Sequence, residues 1–418
     1  MQPIANNIME VQGEGGRIAR IWVRNPELVE EQALSQVRTM LGMPQLFEHI
    51  AVMPDVHWGL GATVGAVMAL SDAVVPNCVG VDIGCGMAVY PLGLRYDGEL
   101  STRGYWRDWL KRLHELVPTG FTCHSAQPDV MQRLQAWSQA ERGEEASVHN
   151  LLCQRFVEPA SKFKTLSEMV LRQTGTLGGG NHFLEVQRDQ DGALWLMVHS
   201  GSRNIGLKIA KHYGALARKL NQLMGQTAPM DLNFLPLSLP EGQAYLQDMQ
   251  WAVDYALLNR KVLLRAALAA LELRFDESQM INIPHNYAAV EEHFGQRVVV
   301  HRKGATSARV DEMGIIPGSM GTPSYIVRGL GNPASYNSCS HGAGRAMGRK
   351  QARRVLTGGD FAAALKDTYS TAGEGYLDEA PQAYKNIDLV LGAQDDLVTV
   401  MHRLKPVITL KSGEDSVD

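Results

Sequence analysis

Val79-Gly80-Val81-Asp82-Ile83-Gly84-Cys85-Gly86 sets a carboxylate and a thiol three residues apart in a run of glycines. Residues three apart on a strand point to opposite faces. With glycine on both sides of the thiol, a turn can instead aim both side chains at one ion. A thiolate is a strong ligand that can bridge two metals, while a carboxylate suits a harder cation. The other reading of Cys85 is a buried small hydrophobe, as most free cysteines are.

Working outward, four further glycine- or proline-flanked strings each add a histidine. They are Gly178-Gly179-Gly180-Asn181-His182-Phe183-Leu184-Glu185, His199-Ser200-Gly201-Ser202-Arg203, Pro284-His285-Asn286-Tyr287 and Ser340-His341-Gly342-Ala343-Gly344-Arg345. A core histidine gains nothing from glycine neighbours. One that must meet a metal or phosphate does, because glycine permits close backbone approach and positive φ. His182, His199 and His285 together with Asp82 and Cys85 make a candidate two-metal cluster of the kind that suits phosphoryl transfer, although each alone could be a hydrogen-bonded core histidine. His49, His114, His124, His149, His212, His293 and His402 lack this context and read as surface or packing residues.

His341 stands just before Ala343–Leu356, which is expected to form a basic helix whose first N–H groups would receive phosphate. A neutral imidazole there can act as a nucleophile or as an acid or base. Ser319 and Ser324 could hold phosphate or base edges, or simply cap tight turns. Among the positive residues, Arg203 and Arg302-Lys303 adjoin the motifs directly and are expected to contact phosphate. The basic run Arg345 to Arg354 also fits a solvated face.

Composition narrows the class. The 418 residues are 45% hydrophobic and 20% charged, as in an ordinary globular protein. Glycine, at 41 residues, exceeds the usual ~7% share, and the excess sits in the motif strings, which points to loop-built chemistry. A net charge of −4 provides no overall basic field, so a nucleic-acid partner must use a local patch. Cys78, Cys85, Cys123, Cys153 and Cys339 are odd in number and hold no CxxC pair, so a reducing, cytoplasmic setting is expected. No run of about 18 apolar residues is present, and no membrane span is expected.

The pattern of elements is α+β. Strands are expected at Arg17–Arg24, Ala51–Val52, Thr63–Leu70, Leu194–Val198, Val298–Val300, Ile315–Ile316 and Val407–Lys411. Helices are expected from Pro26 to Leu41 and at Ser101–Leu116, Pro128–Trp137, Leu207–Met224 and Pro240–Leu273, with a charged loop at Ala140–His149. In the last helix Leu246, Met249, Val253, Ala256 and Arg260 recur at helical spacing. No linker divides the chain, and the candidate ligands come from both halves, so residues 1–418 are expected to form a single domain.

Taken together, the strings resemble the RtcB family of RNA-splicing ligases. The matches are Met53-Pro54-Asp55-Val56-His57, Val79–Gly86, Gly175–Gly178 running into Asn181-His182-Phe183, and His199–Arg203. After them come His285-Asn286-Tyr287, Arg302-Lys303-Gly304-Ala305, Pro317–Gly321, Ser338–Arg345 and Ala383-Tyr384-Lys385, in order, from about residue 15 to residue 413. The resemblance implies a single large α+β domain with a loop-built dinuclear site and a GTP- and Mn²⁺-dependent reaction. It implies that Cys85 bridges two manganese ions, one of them also held by His199 and His285, the other by Asp82 and His182. His341 would attack the α-phosphorus of GTP to give a covalent histidine–GMP, with Asp55 and Arg203 as further catalytic residues. GMP would pass to an RNA 3′-phosphate, obtained where necessary from a 2′,3′-cyclic phosphate, and a 5′-hydroxyl would displace it. Asn181, Phe183, Glu185, His285, Asn286, Ser319, Ser324, Gly342, Ala343, Gly344, Arg345, Tyr384 and Lys411 fall at nucleotide-contacting positions. The resemblance leaves open an activating protein partner, and a monomer is expected.

The chain departs from the family pattern in three places. Leu60 stands where many members carry lysine, Gly179 replaces a serine or threonine, and an acidic tail, Glu414–Asp418, follows Lys411-Ser412-Gly413. These suit a divergent paralogue in RNA repair or tRNA splicing. Two rivals remain at this point. A metal-dependent RNA-end phosphodiesterase or phosphatase would use the same cluster to activate water. A non-catalytic RNA-binding protein would not need the intact set of ligands.

Overall fold

The computed structural model describes residues 1–5, 7–125, 166–226, 228–229, 231–370 and 374–412. The expected helix Pro128–Trp137, the loop Ala140–His149, Cys153 and the tail Glu414–Asp418 lie outside these.

Two large sheets form the frame. The first orders its strands Gln2–Ala5, Ile8–Gln12, Ile18–Trp22, Leu46–His57, Val64–Leu70, Gln296–Lys303 and Asn286–His293. All neighbours in it are antiparallel except Ile18–Trp22 beside Leu46–His57. The second sheet runs Ile281–Pro284, Gly86–Arg95, Ala193–Ser200, Phe183–Arg188, Val398–Leu410, Ser324–Gly329 and Met313–Ile316, with Tyr369–Ser370 added in parallel to Val398–Leu410. With several helices around these sheets, the architecture is α+β, as the pattern predicts.

The helix Pro240–Ala269 packs on strands of both sheets: Gly86–Arg95, Ala193–Ser200 and Ile281–Pro284 of the second and Asn286–His293 of the first. Met249, Val253, Ala256 and Arg260 are all buried on it, and Leu246 is partly so. A helix buried nearly all round belongs inside a large core. No helix among the described residues is long and apolar enough to cross a membrane.

Three element boundaries differ from expectation for identifiable reasons. The run from Pro26 to Leu41 breaks into a short turn, Pro26–Leu28, and the helix Glu31–Met40, because Val29 and Glu30 are extended and Val29 turns into the core. Ala51–Val52 is the centre of a longer strand, Leu46–His57, whose pairing shifts register across Pro54, which has no N–H to donate to the ladder. The predicted basic helix Ala343–Leu356 shrinks to seven residues, Arg349–Val355. Gly344 has φ +71°, and a Cβ there would lie 2.1 Å from the Asp55 carbonyl oxygen, while Arg345 bridges to Tyr384. That segment is a loop pressed against the strand Leu46–His57, so His341 does not adjoin a helix N-terminus.

Candidate active site

The second sheet delivers the candidate ligands from one end of four adjacent strands. Cys85 immediately precedes Gly86–Arg95, His199 is the penultimate residue of Ala193–Ser200, His182 precedes Phe183–Arg188, and His285 follows Ile281–Pro284. The register aligns them: Gly86 pairs with both Ser200 and Pro284, and Phe183 pairs with His199. His285 is the single residue between Pro284 in the second sheet and Asn286 in the first, so it stands where the chain crosses between sheets.

Asp82 reaches the same point through the expected turn, closed by the Cys85 N–H donating to the Asp82 carbonyl at 3.1 Å. Asn286 holds that turn, donating to the Asp82 carbonyl at 3.2 Å and accepting from the Gly304 N–H at 2.9 Å. Gly201 explains part of the glycine crowding: a Cβ there would sit 2.1 Å from an Asp82 carboxylate oxygen.

The five side chains form two groups that share Cys85. One is Cys85, His199 and His285; the other is Asp82, Cys85 and His182, with the ligand atoms of each group within 4.8 Å of one another. His182 Nε2 lies 3.0 Å from Asp82 Oδ2 and 3.4 Å from Cys85 Sγ, and His199 Nε2 lies 3.3 Å from Sγ. The far nitrogens are anchored, His182 Nδ1 donating to the Leu177 carbonyl at 3.0 Å and His199 Nδ1 to the Asn181 carbonyl at 3.2 Å. Such anchoring fixes the tautomer that turns an Nε2 lone pair inward.

Electrostatics suits a cation. Burial, with neighbouring imidazoles, holds His199 and His285 well below the usual histidine range, so both stay neutral and able to donate a lone pair. Burial works against the Asp82 carboxylate, but His182, Cys85 and Arg203 together outweigh it and hold Asp82 below the usual carboxylate range. Burial and the Asp82 charge push the Cys85 thiol far up, so a metal entering here would displace its proton. An imidazole–thiol–carboxylate set with fixed tautomers fits a pair of divalent ions.

His341 stands beyond the strand Ser338–Ser340, with its ring 4.8 Å from that of His285. Its Nδ1 donates to Asp55 Oδ2 at 2.6 Å, and the same oxygen accepts from the backbone N–H of His341 at 3.1 Å and of Gly342 at 3.2 Å. Asp55 is wholly buried at the end of the strand Leu46–His57. Lys385 clamps that strand end, donating to the carbonyls of Pro54 and Val56. With Nδ1 engaged, Nε2 is the ring atom of His341 left for chemistry.

Asp82, Cys85, His199, His285 and His341 open onto a cleft of about 1120 Å³, whose lining does not include His182 or Asp55. Asn181, Phe183, His285, Asn286, Ser319, His341, Gly342, Ala343, Gly344, Arg345, Tyr384 and Lys411 all line it. Glu185 and Ser324 do not; they lie behind it in a buried polar row, where Gln187 donates to Glu185 at 2.5 Å and to Ser324 at 3.2 Å. Burial pushes the Glu185 carboxyl up to about 7.

Two expected phosphate contacts look elsewhere. Arg203 donates to Thr176 Oγ1 at 3.1 Å and to the Gly120 carbonyl at 3.2 Å, outside the cleft lining. Arg302 is fully buried and bound to Glu291, Ser338 and the Tyr336 carbonyl, a structural pairing that corrects its reading as a phosphate contact. Four residues that sequence reasoning gave no role also shape the site. Glu379 gathers Lys411 at 2.8 Å, Tyr384 at 2.6 Å and Arg345 at 3.1 Å. His57 stacks on His341 at 6.5 Å. Buried Arg260 donates to the carbonyls of Gly84 and Ser200, both at 2.8 Å, tying together the two segments that carry Cys85 and His199. Asn259 beside it donates to Ser200 Oγ at 3.1 Å. No local string marks Glu379, Arg260 or Asn259; His57 was visible only as part of a motif.

Residues 36–412 match the family described as tRNA-splicing ligase RtcB. The RNA-splicing ligase RtcB of Escherichia coli (strain K12) is 37% identical over 409 residues, covering 94% of this chain and 97% of that relative. The RNA-splicing ligase RtcB of Mycobacterium tuberculosis is 32% identical over 450 residues, covering 90% of this chain and 100% of the relative. The tRNA-splicing ligase RtcB of Thermococcus kodakarensis is 29% identical over 442 residues, covering 91% of each.

Proposed function

The chain belongs to the RtcB family and is an RNA ligase; from that premise we propose that it joins RNA 3′-phosphate or 2′,3′-cyclic phosphate ends to 5′-hydroxyl ends, using GTP and two Mn²⁺ ions through a covalent GMP adduct on His341. The observation that carries this is the 2.6 Å contact between His341 Nδ1 and Asp55 Oδ2 in a cleft that also contains the Cys85-centred cluster. A hydrolase that activates water at the metals has no need for a histidine so oriented beside them.

Asp82, Cys85, His182, His199 and His285 would hold the two ions, which when bound supply Lewis-acid polarisation of phosphoryl oxygens. His341 would present Nε2 to the α-phosphorus, forming the N–P bond as the α–β phosphoanhydride bond breaks and pyrophosphate leaves, while Asp55 keeps the Nδ1 proton in place and balances the positive charge that develops on the ring. Tyr384 and Lys411, both bound to Glu379, and Phe183, whose ring centroid lies 6.0 Å from Lys411 Nζ, would receive the guanine end of the nucleotide. The candidate ligands and nucleophile, from Asp82 to His341, span both halves, which supports reading residues 1–418 as one catalytic domain. Free thiols at Cys78, Cys85, Cys123 and Cys339 suit a reducing, cytoplasmic setting for an enzyme in RNA repair or tRNA splicing.

Incubation with α-radiolabelled GTP and Mn²⁺, followed by a denaturing gel, tests the proposal. A labelled protein band that disappears in His341→Ala is expected. Cleavage of RNA 2′,3′-cyclic ends with no labelled protein would favour the phosphodiesterase reading instead.

A further inference from the structure

The loop between the strands Leu46–His57 and Val64–Leu70 carries Trp58 and Leu60, and its backbone is fastened from two sides. Gln36, buried in the helix Glu31–Met40, donates to the Gly59 carbonyl at 2.6 Å and accepts from the Gly59 N–H at 3.1 Å. Thr63 Oγ1 donates to the same glutamine at 3.2 Å. From the other side, Lys303 donates to the carbonyl of Leu60 and, at 3.1 Å, to that of Asn77. One lysine thus ties this loop to the segment that leads through Val81 to the ligand Asp82.

On this pinned frame three large apolar side chains stay exposed, Trp58 at 50%, Leu60 at 66% and Val81 at 44%, and all three line the cleft. Tryptophan is strongly buried on average. A rigid backbone that holds it out at the cleft, with two further exposed aliphatic side chains lining the same cleft, makes a platform.

The charges around the cleft select what covers it. Glu30 and Glu31, at the start of the helix that holds Gln36, line the same cleft, so phosphate placed near the loop meets like charge. Lys303 is already engaged, donating to the carbonyls of Leu60 on the loop and Asn77 on the neighbouring segment. The exposed Lys350 lines the cleft from a different segment. An uncharged planar group suits the Trp58 side, and the phosphates suit the Lys350 side. We propose that Trp58, flanked by Leu60 and Val81, is a stacking platform for an unpaired nucleobase at an RNA end held for joining. The proposal rests on the RNA-ligase reading and deepens it: base–aromatic stacking tolerates any base, so the platform selects frayed or single-stranded ends rather than a sequence.

The test measures binding by anisotropy, using an internally labelled single-stranded RNA with a 5′-hydroxyl and a 3′-phosphate. The comparator is the same RNA with abasic nucleotides at both ends. Trp58→Ala should weaken binding of the intact RNA on the order of tenfold, and Trp58→Phe should recover most of the loss. Both variants should bind the abasic RNA as the unaltered protein does. Equal weakening on the two RNAs, or none on the intact one, overturns the platform. A joining assay on the unaltered protein separates the two claims. Base-dependent binding without joining refutes the ligase chemistry alone, and joining with base-indifferent binding refutes the platform alone.

Discussion

Asp55→Asn is the perturbation that most directly tests the chemistry. In the unaltered protein a single oxygen, Asp55 Oδ2, accepts three N–H groups, the shortest from His341 Nδ1 at 2.6 Å, while Oδ1 has no hydrogen-bond partner among the described residues. An asparagine can place an amide oxygen or an amide NH₂ toward His341. The first orientation keeps weaker hydrogen bonds without the charge. The second sets donor against donor and favours the tautomer with its proton on Nε2, where no lone pair remains for attack. A charge-assisted hydrogen bond contributes roughly 1.5–3 kcal/mol, and loss of the tautomer-fixing carboxylate from a comparable histidine costs about 10⁴-fold in rate. The expected effect is therefore a fall of about 10²–10⁴-fold in the single-turnover rate of GMP adduct formation. Stability should change far less, because the mutation also removes a buried charge. The assay follows labelled adduct against time at saturating GTP and Mn²⁺, with metal content checked in parallel. A rate within threefold of the unaltered protein would refute the role given to Asp55 and leave His341 without its orienting partner.

Four further outcomes are expected. Cys85→Ala should lower metal affinity by at least ~10²-fold, since both ligand groups share that sulfur and even outer-sphere changes can cost this much; full manganese content by elemental analysis of the folded variant would contradict a shared thiolate. His341→Ala should form no adduct yet still seal an RNA pre-activated as 3′-phosphate–GMP, and failure with metal confirmed would mean that His341 does more than carry the nucleotide. Glu379 and Glu291 are held down to about 2, Glu379 by Lys411, Arg345 and Arg349 and Glu291 by His293 and Arg302, in each case against the opposing effect of burial. Both lie below the ~4.3 of a free glutamate, so the stability they contribute is present above that value and is lost as pH falls toward 2. Melting temperature should drop across that window, less steeply in Glu379→Gln, and parallel curves would count against the assignment. Leu60→Lys should leave the salt dependence of RNA binding unchanged, since the loop is read as facing a base rather than phosphate; a steeper slope would place residue 60 beside the phosphates and count against the platform.

Much of the site was legible in the residues alone because its signals are local. Asp82 and Cys85 lie three apart among glycines, and His182, His199 and His285 stand beside glycine, proline or strand ends, where turn chemistry is written into neighbouring residues. The ordered strings also identified the family, and alternation and helical spacing placed most strands and the helix Pro240–Ala269. The basic run after His341 misled, because its charge pattern reads as helix while Gly344 and the close Asp55 carbonyl hold it as a loop.

What only the tertiary structure decided is pairing across long separations. That Arg302 answers Glu291 rather than a phosphate, and that Arg260 bridges Gly84 and Ser200, depends on which strands and helices lie together. So does the gathering of Lys411, Tyr384 and Arg345 on Glu379. The sequence determined which residues are candidates for ligand and nucleophile chemistry, since that resides in side-chain type and local backbone freedom. Sheet order and register determined that four adjacent strands end at one point, because no local interaction reports where a strand's neighbour comes from in the chain.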